Sequence, residues 1–213
     1  MQRYQKQFIQ FAIQQHVLQF GDFTLKSGRK SPYFFNAGLF NTGKALKQLG
    51  EFYAQAIHES DIQFDILFGP AYKGISLACA TAIAFAEQYD QDIPFCFNRK
   101  EQKDHGEGGQ LIGSPLKGRA LLIDDVITAG TAFRESNELI SHFPAEICGA
   151  MVAIDRQERG QGQASAIVEL QAIHNIPIFS IITLSHILDY LTQQPDMKTY
   201  VKLIETYQQH YGA

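Results

Sequence analysis

The apolar run Ala120-Leu121-Leu122-Ile123 leads into two adjacent carboxylates, Asp124 and Asp125, and then into Val126, Ile127, Thr128, Ala129, Gly130, Thr131 and Ala132. Small side chains at 128–132 let several backbone N–H groups close on one anion, and a helix starting there adds unpaired donors and the positive end of its dipole. Gly130 lets the chain bend without a Cβ clash. Carboxylates at the rim of such a turn can accept hydrogen bonds from two ribose hydroxyls, or face a hydrated magnesium ion. A phosphate cradle bordered by acids suits a sugar phosphate. It suits ATP less well, because the glycine pattern and Lys-Ser/Thr pair of a P-loop are absent here. Two adjacent acids alone would be read as a turn and a helix cap; the buried run before them and the small-residue turn after them point to a site.

Four further clusters hold charge or planar groups. Phe68-Gly69-Pro70-Ala71-Tyr72-Lys73-Gly74 sets a lysine among small residues that let backbone approach a ligand, so this turn can hold a pyrophosphate; an ordinary tight turn is the plainer alternative. The stretch 98–109 joins Arg99, Lys100, Lys103 and His105 to a glycine-rich end. A charge run is usually solvated surface, but this one follows a strand and has glycine hinges, as a lid over charged substrate would. In the stretch 23–36, Lys26 and other cations stand near Phe34 and Phe35, a combination a planar anionic base would use; otherwise the phenylalanines are core. Arg156, in Asp155-Arg156-Gln157-Glu158-Arg159-Gly160, could meet a carboxylate with two parallel N–H bonds or pair with Glu158 or Asp155.

The elements that must position these groups follow from periodicity. Tyr4, Phe8, Phe11, Ala12 and Leu18 recur at helical spacing, so residues 4–20 are expected to form one helix, stopped at Phe20-Gly21-Asp22. The next segment, 23–36, reads as a hairpin-like hood. Helices are expected over 43–59, 75–88, 132–142, 185–193 and 196–211, and strands over 64–68, 93–97, 120–123, 147–154 and 176–182. That alternation describes an α/β fold with a mostly parallel central sheet flanked by helices, while 98–115 reads as a long polar loop. Ligands of such sheets sit beyond the carboxyl ends of the strands, where these clusters fall, the hood stretch 23–36 apart.

The totals agree with one domain over 1–213. The chain has 213 residues, 45% hydrophobic and 19% charged, enough to bury a core. Its formal net charge of -4 supplies no general field for nucleic acid or anionic membrane. Three cysteines, Cys79, Cys96 and Cys148, lie far apart and without metal-ligand spacing, as expected of a reducing cytoplasm. Neither a signal peptide nor a membrane span is expected.

Thr24-Leu25-Lys26-Ser27-Gly28, the 69–74 turn, the lysine-bearing stretch, the acid pair and the 155–160 motif occur in this order across nearly the whole chain. In these residues the sequence resembles the type I phosphoribosyltransferase family, in its bacterial, orotate-specific branch. The resemblance implies transfer of phosphoribose from phosphoribosyl pyrophosphate to orotate, giving orotidine 5'-phosphate and pyrophosphate in pyrimidine (UMP) biosynthesis. It assigns the phosphoribosyl pyrophosphate contacts to Lys26, Tyr72, Lys73, Arg99, Lys100, Lys103, His105, Asp124, Asp125, Val126, Ile127, Thr128, Ala129, Gly130, Thr131 and Ala132. Orotate falls to Lys26, Phe34, Phe35, Thr128 and Arg156, and the catalytic roles to Lys100, Lys103, His105, Asp124 and Asp125.

The resemblance further implies Mg2+ held mainly by substrate and water near Asp124 and Asp125, a cis peptide at Ala71-Tyr72, and a homodimer sharing the 99–109 loop. Residues 1–41 become an N-terminal helix and hood, and 99–115 a mobile catalytic loop. Ala132 departs from the hydroxyl residue many members of the wider family carry. Other expectations rank lower. A purine-specific transferase would not need Arg156, a ligand sensor controlling DNA binding would need a basic reading module, and a dehydrogenase would need G-x-G-x-x-G.

Overall fold

Short apolar runs bounded by Gly, Pro and polar residues become the strands of a central sheet, because each can pack on both faces at once. The computed structural model describes residues 1–25, 28–100, 110–160, 162 and 164–213. In chain order the sheet and its helices are β3 (Ile66–Gly69), α3 (Lys73–Tyr89), β4 (Phe95–Asn98), β5 (Leu111–Gly113), β6 (Gly118–Val126), α4 (Thr131–Ile140), β7 (Ala145–Asp155), α5 (Ala166–His174) and β8 (Ile178–Thr183). Before them stand α1 (Arg3–Gln14), β1 (Leu18–Thr24), β2 (Lys30–Phe35) and α2 (Gly43–Ser60); after them α6 (Leu184–Thr192) and α7 (Lys198–Tyr211). Among the described residues no helix is long and apolar enough to cross a membrane.

The six-stranded sheet has the order β5-β4-β3-β6-β7-β8. Its pairs are parallel except β4 with β5. Alternation along each strand divides the core in two. Leu67, Leu121, Ile123, Met151 and Ile181 pack with α1, α2, α3, α6 and α7 on one face. Ile66, Phe68, Leu122, Val152 and Ile178 pack with Phe133 and Ile140 of α4 and Leu170 of α5 on the other. The register pairs Val126 with Ile154 and Asp155 with Thr183, so the carboxyl ends of β6, β7 and β8 lie side by side.

Strands β1 and β2 form a separate antiparallel pair, the hood. It is fastened to the body by Tyr33 and Phe35, both buried in the first core. Phe8 meets Phe52 edge-on at 5.2 Å, which anchors α1 to α2, and Phe11 stacks on Phe40, in the segment before α2, at 4.9 Å between centroids.

Three expectations need correction. The first helix ends at Gln14, six residues before the turn at Phe20, and Leu18 already belongs to β1. The stop is a Schellman motif: His16, at φ 56, donates its N–H to the Ile13 carbonyl, and Val17 donates to that of Ala12. With histidine where glycine is usual, no sequence signal marks it. The polar stretch 98–115 contains β5, whose Leu111 pairs with Asn98, so the loop is shorter than expected. Helix α5 was not anticipated, because Val168 and Ile173 are apolar yet 52% and 72% exposed and blur the period of Ala166, Ile167 and Leu170, which are buried.

Candidate active site

The turn between β3 and α3 lies against the neighbouring strand β6. A Cβ on Gly74 would stand 2.5 Å from Pro70 Cδ and 2.8 Å from the Ile123 carbonyl oxygen, so only glycine permits that approach. The peptide Ala71-Tyr72 is cis, as the family resemblance implied. Ala71 donates its N–H to Asn98 Oδ1 at 2.8 Å, fixing the turn to the end of β4. Lys73, at the start of α3, reaches across to Asp125 Oδ2 at 2.5 Å.

Asp124 and Asp125 come just before Val126, the last residue of β6, and so lie inside the strand and not beyond the strand end placed at 123. Asp125 is 6% exposed and finds its counter-charge in Lys73. Asp124 accepts the Asp125 amide through Oδ1 at 2.8 Å, and its own carbonyl accepts from the buried hydroxyl of Tyr53 at 2.7 Å. Burial, and then the charge of Asp125, pushes the Asp124 carboxyl up to about 7. Among the described residues no group of three or more His, Cys, Asp or Glu could cage a metal ion. Two carboxylates are hard oxygen donors, and they fit a magnesium ion that keeps water and takes most of its ligands from a bound phosphate compound.

Beyond β6 the chain turns at Gly130, φ 70, into α4. Thr128, Ala129, Thr131 and Ala132 face solvent while Gly130 is buried against Leu170. Arg134 Nη2 donates to the Ala129 carbonyl at 2.6 Å and so braces the turn. No described residue accepts from the amides of Thr128, Ala129, Gly130, Thr131, Ala132 or Phe133. These are the free donors an anion needs.

Arg156 follows β7, one strand away. Its Nε and Nη2 both donate to Glu158 Oε1, at 2.9 and 2.6 Å, and its guanidinium lies 4.7 Å from the centre of the Tyr33 ring. Asp155 takes the Gln157 amide at 2.8 Å, so Glu158 and not Asp155 is the partner of Arg156. Gln157 in turn accepts from the Ser185 amide and hydroxyl, which ties this loop to α6.

Along β2, Phe34 and Phe35 point to opposite faces. Phe35 is 8% exposed and belongs to the core, whereas Phe34 is half-buried and stacks on Phe23 at 5.5 Å. Only the Phe34 ring is therefore open to a ligand, and Phe35 can offer backbone alone. At the other edge, Arg99 donates its amide to the Gln110 carbonyl at 2.8 Å, closing the neck of the lysine-bearing segment. Lys100 Nζ stands 5.4 Å from the centre of the exposed Tyr72 ring. Lys26, Lys103 and His105 lie outside the described residues.

The structure thus gathers Tyr72, Lys73, Lys100, Asp124, Asp125, the 128–132 turn and Arg156 along one carboxyl edge of the sheet. Tyr53, Asn98 and Tyr33 support these groups and were not singled out from the sequence, whereas Glu158, named there as one of two partners open to Arg156, is that partner. Asn98 and Tyr33 do stand inside quoted motifs, but their contacts span distant elements and leave no local signal.

A model of the phosphoribosyl transferase domain matches residues 38–181, most of the chain, so this protein belongs to the phosphoribosyltransferase family. The match omits α1, the hood, α6 and α7. Full-length similarity narrows the class. The chain is 57% identical over 213 residues to orotate phosphoribosyltransferase of Cronobacter sakazakii and 58% over 212 residues to that of Klebsiella pneumoniae, with 100% of both chains covered in each case. The crystal structure of orotate phosphoribosyltransferase from Francisella tularensis superposes with a TM-score of 0.90 at 45% identity, covering 97% of this chain and 100% of that one. Its branch of the family is that of the orotate phosphoribosyltransferases.

Proposed function

We propose that this protein transfers the 5-phosphoribosyl group of phosphoribosyl pyrophosphate to N1 of orotate, releasing pyrophosphate and forming orotidine 5'-phosphate for UMP synthesis. The observation that carries the reading is the free amide turn at 128–132, set directly after Asp124 and Asp125. In this assignment the turn takes the 5-phosphate, the acid pair orients the ribose hydroxyls, and Lys73 and Tyr72 line the pyrophosphate. Arg156 takes the orotate carboxylate, with Lys26, Thr128, Phe34 and the Phe35 backbone around the ring.

N1 attacks C1 as the C1–O bond to pyrophosphate breaks, through a sugar with oxocarbenium-like charge, and the N1 proton is released to solvent. No protein nucleophile is needed. The residues align two substrates and stabilise negative charge growing on the leaving group. Magnesium, when bound near Asp124 and Asp125, would supply further neutralisation of that charge. Arg99, Lys100, Lys103 and His105 add cations from a lid over 99–109, which excludes water when closed. The position of Lys100 over Tyr72 supports a lid rooted at the pyrophosphate turn. In the same reading the 1–213 chain is one catalytic domain that works as a two-fold dimer, each lid serving the partner's site. The free thiols of Cys79, Cys96 and Cys148 suit a reducing cytoplasm.

The test is direct: follow loss of orotate absorbance on mixing protein, orotate, phosphoribosyl pyrophosphate and magnesium, omitting each in turn. Activity is expected only with all four. Turnover of a purine base with none of orotate would overturn the assignment.

A further inference from the structure

Glu158 has no task in the reaction as described, yet it is the hub of a polar cluster at the base end of the site. Its side chain is 14% exposed and that of Arg156 13%. One oxygen, Oε1, accepts from Arg156 Nε and Nη2 and also from the Tyr33 hydroxyl at 3.0 Å. The other, Oε2, faces Arg29 Nη1 of the hood at 3.7 Å. Tyr33 is fully buried beneath the Arg156 guanidinium, and Tyr207 of α7 packs edge-on against it at 6.0 Å. Burial above all keeps the Tyr33 phenol well above its ordinary range, so it remains a donor.

A guanidinium has five N–H groups in one plane. The side-on edge, Nε with one Nη2 hydrogen, is spent on a single oxygen of Glu158. Left over is the end-on edge, Nη1 with the second Nη2 hydrogen, whose two parallel bonds match a planar carboxylate. Tyr33 below opposes tipping of the plane, and Glu158 at the side opposes its rotation. An anion beside Arg156 weakens its pull on any ligand carboxylate, so this arrangement favours orientation over raw attraction.

Resting on the reading of Arg156 as the carboxylate contact, we propose that Glu158 is a positioning residue for base recognition. With Tyr33 it locks Arg156 so that only its end-on edge meets the carboxylate of the incoming pyrimidine. Because Tyr33 and Arg29 belong to the hood segment and Glu158 to the loop after β7, the same contacts set the hood over the base.

The experiment measures steady-state constants for both substrates and thermal midpoints in Glu158→Gln, Tyr33→Phe, their double variant and Arg156→Ala. Glu158→Gln is expected to raise KM for orotate about tenfold or more while KM for phosphoribosyl pyrophosphate stays within about twofold. Tyr33→Phe, which removes one hydroxyl acting through Glu158, should raise it about threefold, and the double variant no further than Glu158→Gln alone. An unchanged or lowered KM for orotate in Glu158→Gln would mean that Glu158 merely competes for the guanidinium, and overturns the proposal. Parallel rises in both KM values with a fallen midpoint would mean a structural role, and overturn it too. If Glu158→Gln does not fold, Tyr33→Phe carries the same test, with no selective rise in the orotate KM as the overturning result. If Arg156→Ala raises the orotate KM and the other variants do not, only this proposal fails; if it has no effect, the carboxylate reading itself falls and takes the proposal with it.

Discussion

Lys73, on the first turn of α3, donates to Asp125, next to last in β6, at 2.5 Å across 52 residues of sequence. The contact joins the start of the helix that follows β3 to the carboxyl end of the adjacent parallel strand β6, and it places one cation beside a pair of carboxylates.

Lys73→Ala should lower kcat/KM for phosphoribosyl pyrophosphate by about 100-fold or more, on the scale of losing one charge-stabilising group. Stability should fall as well, by about 1–3 kcal/mol, because the Asp125 side chain is 9% exposed and loses its one described cationic partner. Steady-state assay and thermal melting check both parts, and an unaltered kcat/KM would remove Lys73 from the pyrophosphate site.

Asp124 gives a pH-dependent stability. Its folded-state value of about 7 stands above the usual 3.8, so between those values the folded form holds a proton the unfolded chain has released. Stability from this group is present below about 4 and is lost as pH rises towards 7. Asp124→Asn removes the loss and can still accept the Asp125 amide. The variant should melt level with the parent near pH 4 and above it at pH 8, by up to about 4 kcal/mol, at ~1.4 kcal/mol per pKa unit. Its activity should fall, since a ribose hydroxyl loses an anionic acceptor. A melting difference that does not grow with pH would show that the ionised pair costs nothing.

Asn98→Ala releases the Ala71 amide from its only described acceptor. A part-buried donor left unpaired costs about 1–3 kcal/mol, and the turn at 70–74 should loosen. The expected outcome is a several-fold higher KM for phosphoribosyl pyrophosphate with the orotate KM unchanged. Equal rises in both would place the effect outside this turn.

Lys103→Ala tests the lid. Turnover should drop about 100-fold or more while the melting curve is retained, as for removal of one group acting on transition-state charge. Unchanged turnover would exclude this lysine from the chemistry.

Local chemistry was written plainly in this chain. The apolar run before Asp124, the small residues at 128–132 and the lysine among glycines at 69–74 announced a strand, an anion turn and a pyrophosphate loop, because each depends on neighbours in sequence. Helices with clean apolar faces were equally legible, as in α2, whose expected span of 43–59 differs from the observed one by a single residue. Where the local signal was absent the reading failed. His16 stands where glycine normally ends a helix, exposed apolar residues hide α5, and β5 is three residues long.

By itself the sequence determined which groups are present for the reaction and the order of the elements that bear them. Only the tertiary structure decided that Phe35 turns into the core while Phe34 stays accessible, that Tyr33 and Glu158 meet across 125 residues, and that Arg156 keeps just one edge free. Those outcomes depend on strand order and on packing between distant segments, and periodicity within a single segment holds no information about either.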